Sequence, residues 1–166
     1  MPTTKENLAT AFAGESQANR KYLTYARKAE QEMMPQIAML FRAAAEAETI
    51  HAFAHFENMG GVGTTLQNLE AAIAGETYEF TEMYPPMVEQ AQAEGHKGTK
   101  MLGYADAAER VHARLFQQAL DAMKAGKDLS QMEVFLCPFC GNIEFGIPVE
   151  KCPICSEPSE YYRKIA

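Results

Sequence analysis

No cysteine occurs in the first 136 residues of this 166-residue chain, so no disulfide framework can run through most of its length. No apolar run approaches the roughly 20 residues that a membrane-spanning helix needs. Residues 1–8 hold no apolar stretch of the secretory kind. Basic residues are in the minority, 15 Lys and Arg against 22 Asp and Glu, giving a net charge of −7. This argues against nucleic acid or anionic membrane as a partner, since both demand basic patches. A dinucleotide-binding glycine motif is also missing. Gly61-Val62-Gly63 has Leu66 where a third glycine would stand, and no strand pattern precedes it. The expectation is a cytoplasmic protein of one ordinary domain, or one domain with a small appendage. Hydrophobic residues make up 47% of the chain, enough for a sizeable core.

What the chain does contain is a repeated set of metal-type ligands. Glu48 and His51 form an E-x-x-H pair, and Glu109 and His112 form another, 61 residues later. Glu15 and Glu76 keep the same offset of 61, each 33 residues ahead of its E-x-x-H. On a helix, residues three apart point in neighbouring directions, so E-x-x-H offers one oxygen and one nitrogen to a single site. Two such helices, with one Glu from each of two others, supply four carboxylates and two imidazoles, the donor set of a four-helix bundle holding two metal ions. Four negative charges balance two divalent ions, and O/N ligation without thiolate suits iron or manganese better than copper or structural zinc. One E-x-x-H alone could be a solvated surface pair. Two copies in register, each on an apolar stripe, are not what a solvent face produces.

The helices can be placed around these ligands. Thr3 and Glu6 form a capping-box pattern, opening a helix that runs to about residue 32 with Leu8, Phe12, Glu15, Asn19 and Tyr22 in line. Gly14 beside Glu15 suggests close approach of a neighbouring helix. Pro35 suits the first turn of a second helix, which carries Glu48 and His51 and ends at the glycines 60–63. Residues 66–74 read as a short helix within a crossover. A third helix after Gly75 carries Glu76 and Glu79, and Pro85-Pro86 should kink or locally widen it, because two backbone donors are lost. Gly95 ends it. A fourth helix over residues 98–125 aligns Leu102, Ala105, Glu109, His112 and Phe116.

Glu79 breaks the repeat, because Ala18 stands at the equivalent position of the first copy. It is either a surface residue or a seventh, chemically asymmetric ligand. His55 has Phe116 as its counterpart and is assigned to the surroundings of the site or the surface. His96 lies in a loop and receives no role.

After Gly126 the pattern changes. Cys137, Cys140, Cys152 and Cys155 form two C-P-x-C turns within a segment of aromatic and β-branched residues. Four thiolates in two tight turns make a tetrahedral cage that fits iron or zinc. The segment is too short to fold on a hydrophobic core alone and reads as a small metal-stapled β module. The expected division is 1–130 helical and 131–166 cysteine module.

The motifs Gly-Glu15-Ser-Gln-Ala-Asn-Arg, Glu48/His51, Gly-Glu76-Thr-Tyr-Glu79-Phe-Thr-Glu-Met-Tyr84-Pro, Glu109/His112 and the two C-P-x-C turns together resemble the rubrerythrins, over essentially the whole chain and in family order. The resemblance implies a mainly α fold, a ferritin-like four-helix bundle followed by a rubredoxin-like β module with a four-cysteine metal site. It implies two non-haem irons in the bundle (a di-iron site) and one iron at the cysteines. By the same resemblance Glu48 and Glu109 bridge the irons, with Glu15 on one iron and Glu76 and His112 on the other. Glu79 and His51 are exchanged as ligands to the first iron between oxidation states. Tyr22 and Tyr84 match family tyrosines that hydrogen-bond ligand carboxylates, although either could equally be a packed aromatic with a satisfied hydroxyl. One departure is Ser156, where the second rubredoxin turn often has Gly or Ala.

The implied activity is reduction of hydrogen peroxide to water, with electrons passing through the cysteine-bound iron from an external reductase or rubredoxin. Rubrerythrins are typically dimers, or higher homo-oligomers, in which one subunit's cysteine domain approaches the other's di-iron site. Two rival readings stay open on sequence alone. One is a ferritin-like iron-oxidising or storage protein with a structural zinc module. The other is a non-catalytic, zinc-stapled interaction module.

Overall fold

The computed structural model describes residues 1–165, so that the last position of the expected module, Ala166, lies outside the described residues. The fold is mainly α, with a small C-terminal sheet carrying the four cysteines. Two compact units are distinguished, Met1–Gly63 and Thr64–Ala166.

The first unit is a helical hairpin of α1 (Thr4–Gln31) and α2 (Pro35–Asn58). The capping box forms as the sequence predicts. The Thr3 hydroxyl accepts from the Glu6 N–H, and the Glu6 carboxylate accepts from the Thr3 N–H at 2.7 Å. Pro35 occupies the first turn of α2. Gly60, at φ 76°, ends α2, with Gly60 N–H bonding Glu57 O at 2.9 Å and Gly61 N–H bonding Phe56 O at 2.9 Å. That pair of bonds satisfies carbonyls the helix end would otherwise leave open. Alanines form the contact between the helices: Ala26, Ala29, Ala38, Ala45 and Ala52 are buried. Small side chains let the two backbones approach, and buried Asn19 uses that proximity, donating from Nδ2 to Ala45 O at 2.7 Å and to Thr49 Oγ1 at 2.8 Å. The close approach expected at Gly14 is not made by the described residues, since a Cβ there would meet nothing within 4 Å.

In the second unit α3 (Thr65–Tyr78) and α4 (Tyr84–Ala93) are joined by a π-helical segment, Glu79–Met83, and all three pack on α5 (Thr99–Lys124). The separate short helix expected over residues 66–74 is instead the first part of α3. Gly75 lowers helix propensity by about 1 kcal/mol but imposes no break, and a second capping box, Thr64 with Gln67, nucleates the whole length. The predicted widening before Pro85-Pro86 is present as the π segment.

Three short antiparallel strands follow, in the order β2–β1–β3: β1 (Val134–Leu136), β2 (Ile143–Phe145) and β3 (Arg163–Ile165). Val134 pairs with Phe145 on one side and Ile165 on the other. Strands of three residues bury little apolar area. The module's centre is instead Cys137, Cys140, Cys152 and Tyr162.

Candidate metal centres

In the first unit, α1 brings Glu15 and α2 brings Glu48 and His51 to one place, with a donor atom from each lying within 4.8 Å of the others. His51 Nδ1 is 3.1 Å from Glu48 Oε2, the contact that an i, i+3 spacing provides. Glu15 and Glu48 share a hydrogen bond that raises the Glu15 pKa, with burial and the Glu48 charge adding to it. Two carboxylates this close hold a proton between them unless a cation replaces it. The His51 side chain is 55% exposed, so the unit leaves its ring accessible. Tyr22 lies in an aromatic group, its ring centroid 6.2 Å from that of Phe41 and 6.3 Å from that of Tyr25.

The second unit repeats the trio. Glu76 from α3 and Glu109 and His112 from α5 gather within 4.8 Å. His112 Nδ1 is 2.6 Å from Glu109 Oε2 and 3.6 Å from Glu76 Oε2. Burial, then the hydrogen bond and charge of Glu109, push Glu76 up to about 7. Glu79 is also raised, by burial first and then by the Glu76 charge. Its carboxylate therefore senses the trio, although the tight candidate group itself is Glu76, Glu109 and His112. Tyr84 is raised by burial and by the charges of Glu109, Glu79 and Glu76, so its hydroxyl keeps its proton among three carboxylates.

The π segment that begins at Glu79 has a traceable cause. The Tyr84 N–H bonds Glu79 O, five residues back. The next donor in that register belongs to Pro85, which has no N–H, so Phe80 O is left without a helical partner. Arg110 Nη2 donates to it at 3.0 Å, and the guanidinium lies over the Phe80 ring, 4.6 Å from its centroid. Sequence reasoning missed Arg110. Its signal, Arg next to the candidate ligand Glu109, gains meaning only when the orphan carbonyl is seen.

The two trios differ at the imidazole. His112 Nε2 lies 2.8 Å from Gly141 O, a contact made 29 residues along the chain. With Nε2–H donating to that carbonyl, Nδ1 is fixed as the free lone pair facing the carboxylates, the way a ligand histidine is oriented. Gly141 directly follows Cys140. The carboxylate trio and the cysteine cluster of this unit are thus joined by one hydrogen bond.

The four sulfurs lie within 4.8 Å of one another, Cys137 Sγ 3.5 Å from Cys155 Sγ and Cys140 Sγ 3.4 Å from Cys152 Sγ. The two turns are built alike. Gly141 N–H bonds Cys137 O at 3.0 Å, and Ser156 N–H bonds Cys152 O at 2.9 Å. Gly141 has φ 86° and Ser156 φ 64°, a left-handed conformation that explains the usual small residue and makes Ser156 an uncommon occupant. Burial pushes the Cys140 thiol up. Burial acts the same way on Cys152, but hydrogen bonds from Tyr162 and from the backbone of Cys155 and Ile154 outweigh it and bring that thiol down to about 7. Metal-free thiols cannot all be satisfied in such a cage, whereas a thiophilic cation satisfies all four. The all-sulfur donor set fits iron or zinc, and each O/N trio fits iron.

Comparisons with known proteins agree with this chemistry. A family model described as rubrerythrin matches residues 6–120. The chain is 37% identical to rubrerythrin-2 of Clostridium acetobutylicum over 175 residues, covering 96% of this chain and 95% of that relative. It is 35% identical to nigerythrin of Nitratidesulfovibrio vulgaris, covering 96% of this chain and 85% of the relative. Among solved structures it resembles the fully reduced, all-ferrous state of nigerythrin, with a TM-score of 0.59 and 33% identity over 99% of this chain and 88% of that one. The helical part is of the ferritin-like class and the cysteine module of the rubredoxin-like class.

Proposed function

Given that the chain belongs to the rubrerythrin family, we propose that it is a non-haem di-iron peroxidase that reduces hydrogen peroxide to water as part of oxidative stress defence. The observation that carries this reading is the His112–Gly141 hydrogen bond, which ties a carboxylate–imidazole trio to a four-cysteine cluster in one compact unit. A storage protein needs no such tie, and a peroxide reductase needs a route for returning electrons.

The overall reaction takes one peroxide, two protons and two electrons to two waters. Two bound irons would supply the electron pair that breaks the O–O bond, and an iron in the cysteine cage would return electrons one at a time. The chain's own residues do the rest. Glu15, Glu48, Glu76, Glu109 and His112 would hold the two irons, with Glu48 and Glu109 in the shared role that the family resemblance implies. Glu79 and His51 are proposed as the exchanging ligands. The accessible His51 ring, and the Glu79 carboxyl raised beside Glu76 and His112, support these roles. Tyr84 is proposed to hold a proton at its Oη close to the carboxylates, and Tyr22 to serve the first trio. The functional division we propose is 1–130 for peroxide chemistry and 131–166 for electron entry.

Electrons come from an external reductase or rubredoxin. The resemblance implies that another subunit's cysteine module serves each di-iron site, whereas here the chain's own Gly141 carbonyl meets His112, which supports delivery within one chain. A cytoplasmic location is proposed, and no helix among the described residues is long and apolar enough to cross a membrane. Leu40, Ile50 and Phe53, 70%, 68% and 65% exposed on α2, support assembly into a homo-oligomer.

The test is turnover with an electron donor. Catalytic consumption of peroxide, with a red protein that bleaches on reduction, is the expected result. Accumulation of a large ferric core without turnover would replace this reading with iron storage. Glu79→Ala should keep its iron and slow peroxide turnover by about tenfold or more, the scale of a lost ligand-shell contact; unchanged turnover would make Glu79 a bystander.

A further inference from the structure

The cysteine cage has a polar neighbour that ligation does not require. Asn142, 1% exposed, donates from Nδ2 to the Tyr162 hydroxyl at 2.8 Å and to Glu144 Oε1 at 3.1 Å. The Tyr162 hydroxyl in turn donates to Glu144 Oε1 at 2.8 Å. Three side chains from two loops and a strand therefore close a ring of hydrogen bonds. The ring abuts the cage at two points. Tyr162 packs in one core with Cys137, Cys140 and Cys152. The Asn142 carbonyl accepts from the Cys137 N–H at 2.8 Å. Glu144 sits half-buried on β2, and among the described residues no cation pairs with it.

An unpaired carboxylate there is costly for folding unless something offsets it, and the Asn142 amide and Tyr162 hydroxyl provide that offset. The purpose of the arrangement lies in the charge of the cage. Four thiolates with ferric iron carry −1, and with ferrous iron −2. A fixed carboxylate nearby disfavours the added electron, while each hydrogen bond that offsets its charge lessens that effect. Tyr162 has a single proton, and it goes to Glu144.

We propose that Glu144, Asn142 and Tyr162 form a device that sets the reduction potential of the four-cysteine centre. Glu144 holds the potential down, and Tyr162 raises it by offsetting the Glu144 charge. These are positioning residues, since none of them touches peroxide. The proposal rests on the reading that the cage holds iron.

The experiment is a visible-absorbance redox titration of the full-length, iron-loaded protein. Glu144→Gln removes the charge and keeps the shape, so its potential should rise. The expected change is about tenfold in the reduced-to-oxidised ratio at fixed potential, which is about 59 mV for one electron. Tyr162→Phe removes a donor that offsets the Glu144 charge, and its potential should fall. Opposite signs are the signature, because loosening of the module would move both variants the same way. If Glu144→Gln fails to hold iron, Glu144→Ala carries the same expected sign. An unchanged potential in the Glu144 variants, or shifts of one sign in both positions, overturns the proposal. A colourless wild-type protein with zinc in the cage instead sinks the iron reading, and this inference with it.

Discussion

Replacing Arg110 with Met should cost stability by an amount the structure allows to be worked out. Pro85 deprives Phe80 O of its helical donor, and Arg110 Nη2 supplies one at 3.0 Å. A hydrogen bond from a charged donor contributes about 1.5–3 kcal/mol net, and a cation–π contact at an exposed site about 0.5–1 kcal/mol. The Arg110 side chain is 52% exposed, so water replaces part of what is lost. The expected cost is therefore at the lower end, about 1–2 kcal/mol. The ion pair with Asp106, at 3.3 Å and on the surface, adds little. In a chain of this length about 1 kcal/mol moves the melting temperature by about 2–4 °C, so Arg110→Met should melt about 2–8 °C lower, read by circular dichroism. Arg110→Lys keeps the charge without the planar fork and should fall between. Because the π segment begins at Glu79, Arg110→Met should also slow peroxide turnover while leaving the iron content intact. A melting temperature within about 1 °C of the wild type would refute the assignment of Arg110 to the orphan carbonyl.

The metal-free protein should lose stability as pH rises. Glu76 is raised to about 7 from 4.5, so the folded state binds more protons than the unfolded state between those values. Its contribution is fully present below pH 4.5 and lost by about pH 7. Discounted for solvent exposure, the loss is about 1–2 kcal/mol, and Glu76→Gln should flatten this part of a urea-denaturation series; a metal-free protein equally stable at about pH 5 and about pH 8 would contradict it. Stripping the metal from the cysteine cage with a strong chelator should melt the module and leave the helices, because three-residue strands supply no independent core. Hydrogen exchange should then show residues 134–165 losing protection while α5 keeps its own; retained protection in the strands would show that the module stands without metal.

Much of the site was legible in the sequence because its information is local. An E-x-x-H spacing fixes the relative direction of two side chains on any helix, so Glu48/His51 and Glu109/His112 could be paired before any fold was known. The same holds for the capping box at Thr3, the Pro35 start, the widening before Pro85-Pro86, and the two C-P-x-C turns. Readings failed where local pattern underdetermines the outcome. Gly75 looked like a break, but a glycine with room on all sides lowers helix propensity without ending the helix. Gly14 looked like a contact point, although a small residue marks a close approach only if another chain segment arrives.

By itself, then, the sequence determined the duplicated E-x-x-H pairs, the asymmetry at Glu79 and the two C-P-x-C turns, since each follows from spacing of three residues or from a tight turn. Only the tertiary structure decided that Arg110 serves Phe80 O, that His112 Nε2 meets Gly141 O, and that Asn142, Glu144 and Tyr162 close a ring beside Cys152. These contacts join positions 30, 29 and up to 20 residues apart. No helical or turn periodicity links residues at such separations, so the path of the returning chain alone selects which donor meets which acceptor.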